Sequence, residues 1–112
     1  MSKLCFIRIN MSVARIRSID FDNAGIADDY EREVQESGAK WIPEAEIIIL
    51  VRTTDTSAIL LTTFSSEEEA EKVSNRLAEW TENYGASSWN NRYRDSFVLM
   101  GQVKAQHIKN QI

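Results

Sequence analysis

Cysteine, histidine and proline occur once each in this 112-residue chain, at Cys5, His107 and Pro43. A single thiol forms no internal disulfide. One cysteine and one histidine give no CxxC or HExxH spacing, so no metal site is expected. The four glycines, Gly25, Gly38, Gly85 and Gly101, stand isolated, which leaves no glycine-rich loop to cradle a phosphate. No apolar run is long enough to cross a membrane. The opening stretch MSKLCFIRIN lacks the long apolar core of a secretion signal. Positive charge is also in short supply. The formal net charge is −4, without the basic face that nucleic acid or an anionic membrane would require. No internal repeat, low-complexity tract or linker is present. These absences lead us to expect a cytoplasmic protein without a cofactor, folded as a single domain over residues 1–112.

What remains is an ordinary globular composition, 43% apolar and 27% charged. A chain of this length buries roughly two-thirds of its unfolded surface and needs no covalent staples. Its patterning reads as six elements. Over Lys3–Val13, Cys5, Ile7, Ile9, Met11 and Val13 alternate with Leu4, Phe6, Arg8, Asn10 and Ser12, which predicts a strand. That strand has room to continue through Arg15 and Arg17 toward Ile19. Asp22 and Asn23 are N-cap residues ahead of Ile26, Tyr30 and Val34, the narrow stripe of an amphipathic helix expected to end near Ser37-Gly38. Ile47–Val51 and Ala58–Phe64 are β-branched or apolar runs joined across Thr53–Ser57, the pattern of a β-hairpin. Ser66 with Glu69 has capping-box spacing, and the acids that follow suit the positive end of a helix dipole. Ala70, Val73, Leu77, Trp80 and Tyr84 then recur at spacings of three and four up to Gly85, a C-terminal cap. Phe97–Ala105 reads as the last strand.

The order β-α-β-β-α-β is the split βαβ arrangement of the α+β class: a four-stranded antiparallel sheet with two helices on one face. Two helices cover only one face. Yet IIILV, AILLTTF and FVLMGQV carry apolar residues on both sides. Burying each such side chain contributes roughly 1.5–3 kcal/mol, and a whole face of them in water would be adhesive. A second copy of the chain is the simplest cover.

This order, the doubly apolar sheet and the hairpin running into FSSEEEAEKV resemble the dimeric α/β-barrel superfamily of ferredoxin-like, antibiotic-biosynthesis-monooxygenase-type proteins, over about Leu4 to His107. The resemblance implies that two sheets pack face to face into a barrel. It also implies a small-molecule pocket in each subunit, between the sheet and the elements that cover it. Members differ widely in chemistry, so the likeness does not fix an activity.

Ser87–Phe97, SSWNNRYRDSF, is unusually rich for a connector. As a pocket lid, Trp89 and Tyr93 would shield an apolar ligand and Arg92 or Arg94 would grip an anionic end through a guanidinium fork. As structure, the two aromatics would plug a barrel end or the dimer seam, where such residues are also enriched. Arg8 and Asn10, on the less apolar side of the first strand, would anchor a carboxylate or carbonyl, or pair with an acid such as Glu46. Asn10, Asn91, Tyr93 and His107 are the available suppliers of a catalytic base or donor. Cys5 reads as an inert buried thiol, and Trp41, Trp80 and Tyr84 as core. The expectation is therefore a homodimer that binds a small, largely apolar molecule bearing a carboxylate or carbonyl, fatty-acid- or polyketide-like. A cofactor-independent monooxygenase or isomerase, and a structural dimer without a ligand, are the alternatives.

Overall fold

Strand β1 (Val13–Phe21) leads into helix α1 (Ala24–Trp41). The hairpin of β2 (Ile47–Thr54) and β3 (Ser57–Phe64) follows, then α2 (Glu67–Tyr84) and β4 (Tyr93–Gln102). The computed structural model describes residues 12–84 and 93–109, and their side chains except at 77–84 and 93–96. The sheet is antiparallel with order β2-β3-β1-β4, so β1 and β3 are central and β2 and β4 are edges. This is the ferredoxin-like α+β arrangement expected from the pattern.

Capping fixes both helix starts. The Asn23 side chain accepts from the Ile26 N–H at 2.9 Å. Ser66 Oγ accepts from the Glu69 N–H at 3.2 Å. Each bond satisfies a donor that the first helical turn leaves without an intrahelical partner. The hairpin turns at Asp55 and Thr56, where Thr54 Oγ1 accepts from the Thr56 N–H at 3.2 Å. Arg52 binds the tip to α1. Its guanidinium donates to Asp28 at 3.0 Å, to Glu31 at 2.8 Å, and to the carbonyls of Thr54 and Asp55. These partners, Asp28 first, raise the Arg52 pKa above its ordinary value.

Several boundaries differ from expectation. The first described strand is Val13–Phe21, the continuation through Arg15, Arg17 and Ile19. The portion expected at 3–11 lies outside the described residues, as does Gly85. Helix α1 does not stop at Ser37-Gly38 but runs to Trp41. A Cβ on Gly38 would meet Val34 at an ordinary 3.5 Å, so nothing there demands a break. The helix closes where the Ile42 N–H reaches the Gly38 carbonyl at 3.0 Å, and Pro43 then disfavours further helical backbone at Ile42. Trp41 is accordingly the last residue of the helix. Strand β4 runs from Tyr93 to Gln102, starting four residues and ending three residues earlier than expected; the early start follows because β1 extends far enough to pair Phe21 with Tyr93 and Asp20 with Arg94. A bulge between Ser18 and Ile19 absorbs Ser96.

The helices pack on β1, β2 and β3, and the buried core forms two clusters. Under α1, Ile19, Phe21, Ala27, Tyr30, Ala58 and Leu60 pack together, with the Phe21 and Tyr30 rings 5.2 Å apart. Under α2, Val13, Phe64, Ala70 and Val73 form the second cluster.

Among the described residues, the other face of the sheet carries no helix. Register places Ile49, Leu61, Ile16 and Leu99 in one row across all four strands. The next row is Val51, Ile59, Ser18 and Phe97. Ile49 is 49% exposed and Leu99 57%. Among the described residues, no helix is long and apolar enough to cross a membrane.

Candidate functional site

Strand periodicity puts Val13, Arg15, Arg17, Ile19 and Phe21 on the helix-bearing face of β1. Val13 belongs to the cluster under α2, and Ile19 and Phe21 to the cluster under α1. Arg15 and Arg17 therefore occupy the interval between the two apolar clusters, on a central strand, and both are half-buried. Opposite them on β3 stand Thr62, buried, and Leu60. Opposite them on β4 stand Met100 and Val98.

Among the described side chains, nothing covers the β4 side of this interval. Met100 is 50% exposed and Val98 42%, although both share the face on which the helices pack. On this face the β1–β4 ladder sets two half-buried arginines beside two exposed apolar residues, Val98 and Met100. Two guanidiniums beside apolar surface suit a molecule with an oxygen-bearing end and a hydrocarbon body.

A recess of about 590 Å³ lies between α1 and the β2 edge, lined by Glu31, Val34, Gln35, Ala39, Ile48, Leu50 and Arg52. Two of its polar groups, Arg52 and Glu31, are already paired with each other, and Arg52 also with Asp28. On the far side of the fold, Arg76 pairs with Glu44 and donates to the Trp41 carbonyl at 3.1 Å, tying α2 to the segment after α1. The Arg76 hydrogen bond holds the Glu44 carboxyl below its ordinary pKa. Both ion-paired groups serve the scaffold. Among the described residues, no group of three or more His, Cys, Asp or Glu could hold a metal ion.

Of the residues singled out in the sequence, Arg8, Asn10, Trp89, Asn91 and Arg92 lie outside the described residues. Tyr93 and Arg94, expected in a loop, are backbone members of β4, opposite Phe21 and Asp20. His107 is exposed in an irregular segment after β4. Arg15 and Arg17 were not foreseen as site residues. The available signal was their i, i+2 spacing inside an otherwise alternating strand, which places two cations on one face.

No family model matches the sequence, and no curated protein matches it. Solved structures do match in shape. HapK from Hahella chejuensis superposes with a TM-score of 0.67 at 12% identity, over 88% of this chain and 99% of that one. A dimeric ferredoxin-like protein from an uncultured marine organism gives 0.64 at 9% identity, over 88% and 99%. SnoaB, a cofactor-independent oxygenase from Streptomyces nogalater, gives 0.62 at 12% identity, over 90% and 99%. At these identities the likeness concerns shape, and by it the chain has a ferredoxin-like fold.

Proposed function

We propose that the chain acts as a cytoplasmic homodimer, joined through the open apolar faces of its sheets. Each subunit binds a small, largely apolar molecule with a carboxylate or carbonyl end, of fatty-acid or polyketide type. The observation that carries this reading is the division of labour between the two sheet faces. One face presents rows of Ile, Leu, Val and Phe, interrupted at Ser18, with nothing over them among the described residues, a surface that monomeric proteins seldom leave in water. The other has a gap in its helix cover, where cationic and apolar groups meet. The description of one fold neighbour as dimeric supports the pairing. In this proposal Arg8, Asn10, Trp89, Asn91, Arg92, Tyr93 and Arg94 form the ligand pocket.

A second reading is catalysis on the same ligand without a cofactor, by oxygenation or isomerisation. It is favoured by the description of SnoaB as a cofactor-independent oxygenase and of another neighbour as a monooxygenase from Streptomyces coelicolor bound to Nanaomycin D. Fold alone does not assign such an activity.

Native mass spectrometry of the purified protein tests the proposal, followed by denaturation and identification of released small molecules. The expected result is a dimer carrying an acyl or aromatic acid. A monomer would overturn the face-to-face arrangement. A dimer that neither carries a ligand nor takes one up would reduce the protein to a structural pairing.

A further inference from the structure

We propose that the recess between α1 and the β2 edge is a separate binding site, and that it takes a primary amine with a hydrocarbon body. None of its lining residues belongs to the pocket proposed above, so either site stands without the other.

Periodicity builds the recess. Glu31, Val34, Gln35 and Ala39 fall at helical spacing on one face of α1. Ile48, Leu50 and Arg52 are alternate residues of β2 and share the face turned toward that helix. Arg52 meets Glu31 at one end. The helix rises about 12 Å from Glu31 to Ala39, and the strand about 13 Å from Ile48 to Arg52, so the two walls match in length. Val34, Ile48 and Leu50 are packed against the core cluster beneath α1, which forms the apolar wall before any ligand arrives. The volume, about 590 Å³, is within the range of small-molecule sites.

The polar end decides the head group. Asp28 and Glu31 both accept from the same guanidinium nitrogen of Arg52, at 3.0 and 2.8 Å. Arg52 also donates to the Thr54 and Asp55 carbonyls. Among the described residues, neither carboxylate pairs with a second cation. Two carboxylates against one guanidinium leave a net negative charge at this end. An ionised carboxylate has about four acceptor positions on its two oxygens, so Glu31 accepts from a ligand ammonium and keeps Arg52. The Glu31 side chain is only 38% exposed, which strengthens that attraction relative to open water. A ligand carboxylate would instead meet two like charges and a cation already engaged. An alcohol would find the same acceptors but bring no charge. Gln35, one turn along the same wall, adds a neutral donor and acceptor.

The test is a titration of the isotope-labelled protein with octylamine, octanol and octanoate, followed by two-dimensional NMR. The three share a hydrocarbon body and differ in head group, and the amine is protonated at neutral pH. Octylamine should bind at least about tenfold more tightly than octanol, with shifts centred on Val34, Ile48 and Leu50, and octanoate should bind there least. Glu31→Gln removes the surplus charge and leaves Arg52 bound to Asp28 and two carbonyls, so it should abolish the preference for the amine. Ala39→Trp, at an exposed helical position, fills the recess and should abolish binding of amine and alcohol alike. Octanol or octanoate matching octylamine at these residues would overturn the proposal, as would an amine preference that survives Glu31→Gln. Shifts centred elsewhere, or undiminished amine binding by a folded Ala39→Trp, would place the amine at another site and also overturn it. The wild-type shift map and Glu31→Gln decide the matter where Ala39→Trp fails to fold. Binding of none of the three at the recess would remove this site and leave the pocket proposed above to its own test.

Discussion

Replacing Ile49 by glutamate distinguishes a covered sheet face from an open one. In a single copy, Ile49 is half-exposed at the centre of β2, and Leu61 is its cross-strand neighbour. If the face met only water, a polar residue there would be tolerated, with a change in unfolding free energy within about 0.5 kcal/mol. If the face meets its twin, two terms oppose the variant. The half of Ile49 still exposed in one copy would be buried in the pair, so its loss costs about 1 kcal/mol per copy. Each buried carboxylate adds a desolvation penalty of at least about 2 kcal/mol. A two-fold interface counts every substitution twice. The total is about 6 kcal/mol, which weakens dimerisation roughly ten-thousandfold. Sedimentation equilibrium at micromolar concentration should show wild-type dimers and Ile49→Glu monomers with an unchanged far-UV spectrum. Ile49→Glu sedimenting as a dimer of wild-type affinity would refute the face-to-face arrangement.

Two further outcomes follow from the scaffold. The Glu44 carboxyl is held below its ordinary pKa chiefly by the Arg76 hydrogen bond, so the pair stabilises the fold above the ordinary carboxylate range and loses that contribution as pH falls through the depressed value. Because the Arg76 side chain is 44% exposed, Arg76→Ala should cost no more than about 1 kcal/mol at neutral pH. Urea unfolding should show the gap to wild type shrinking in acid, and an undiminished gap at low pH would assign the loss to packing and the Trp41 carbonyl instead. Gly38→Ala should stabilise α1 by roughly 0.5–1 kcal/mol, because the new methyl meets Val34 at ordinary distance and alanine is the better helix former. A lowered urea midpoint would reveal a closer neighbour at that buried position.

The order of elements was readable because α2 announces itself through Ser66 and its acid-rich first turn, and the hairpin through two β-branched runs. The start of the sheet was harder to see for a specific reason. In Val13–Phe21 the core-facing set reads Val, Arg, Arg, Ile, Phe, and the two arginines interrupt the alternation that identifies a half-buried strand. The same interruption separates the two apolar clusters and sets two cations beside the exposed Val98 and Met100. The feature that obscured the strand is thus the one that carries the candidate chemistry. Gly38 misled in the opposite direction. Glycine is the commonest residue after a helix end, but here the break is set by Ile42 and Pro43. The extent of β4 depended on where β1 ends, and a partner strand's length is not written in β4's own residues.

Arg52 has one more consequence. It sits on the core-facing side of an edge strand and is bound there by Asp28 and Glu31. A charge turned inward at a sheet edge discourages another strand from adding to it. Among the described residues, the opposite edge has no such guard over Phe97–Met100, where four consecutive apolar residues stand exposed on both faces. The two rims of the sheet are therefore unlike. Strand addition is open at one rim and opposed at the other, so copies that join through β4 would close after a single step and would not propagate into a fibre.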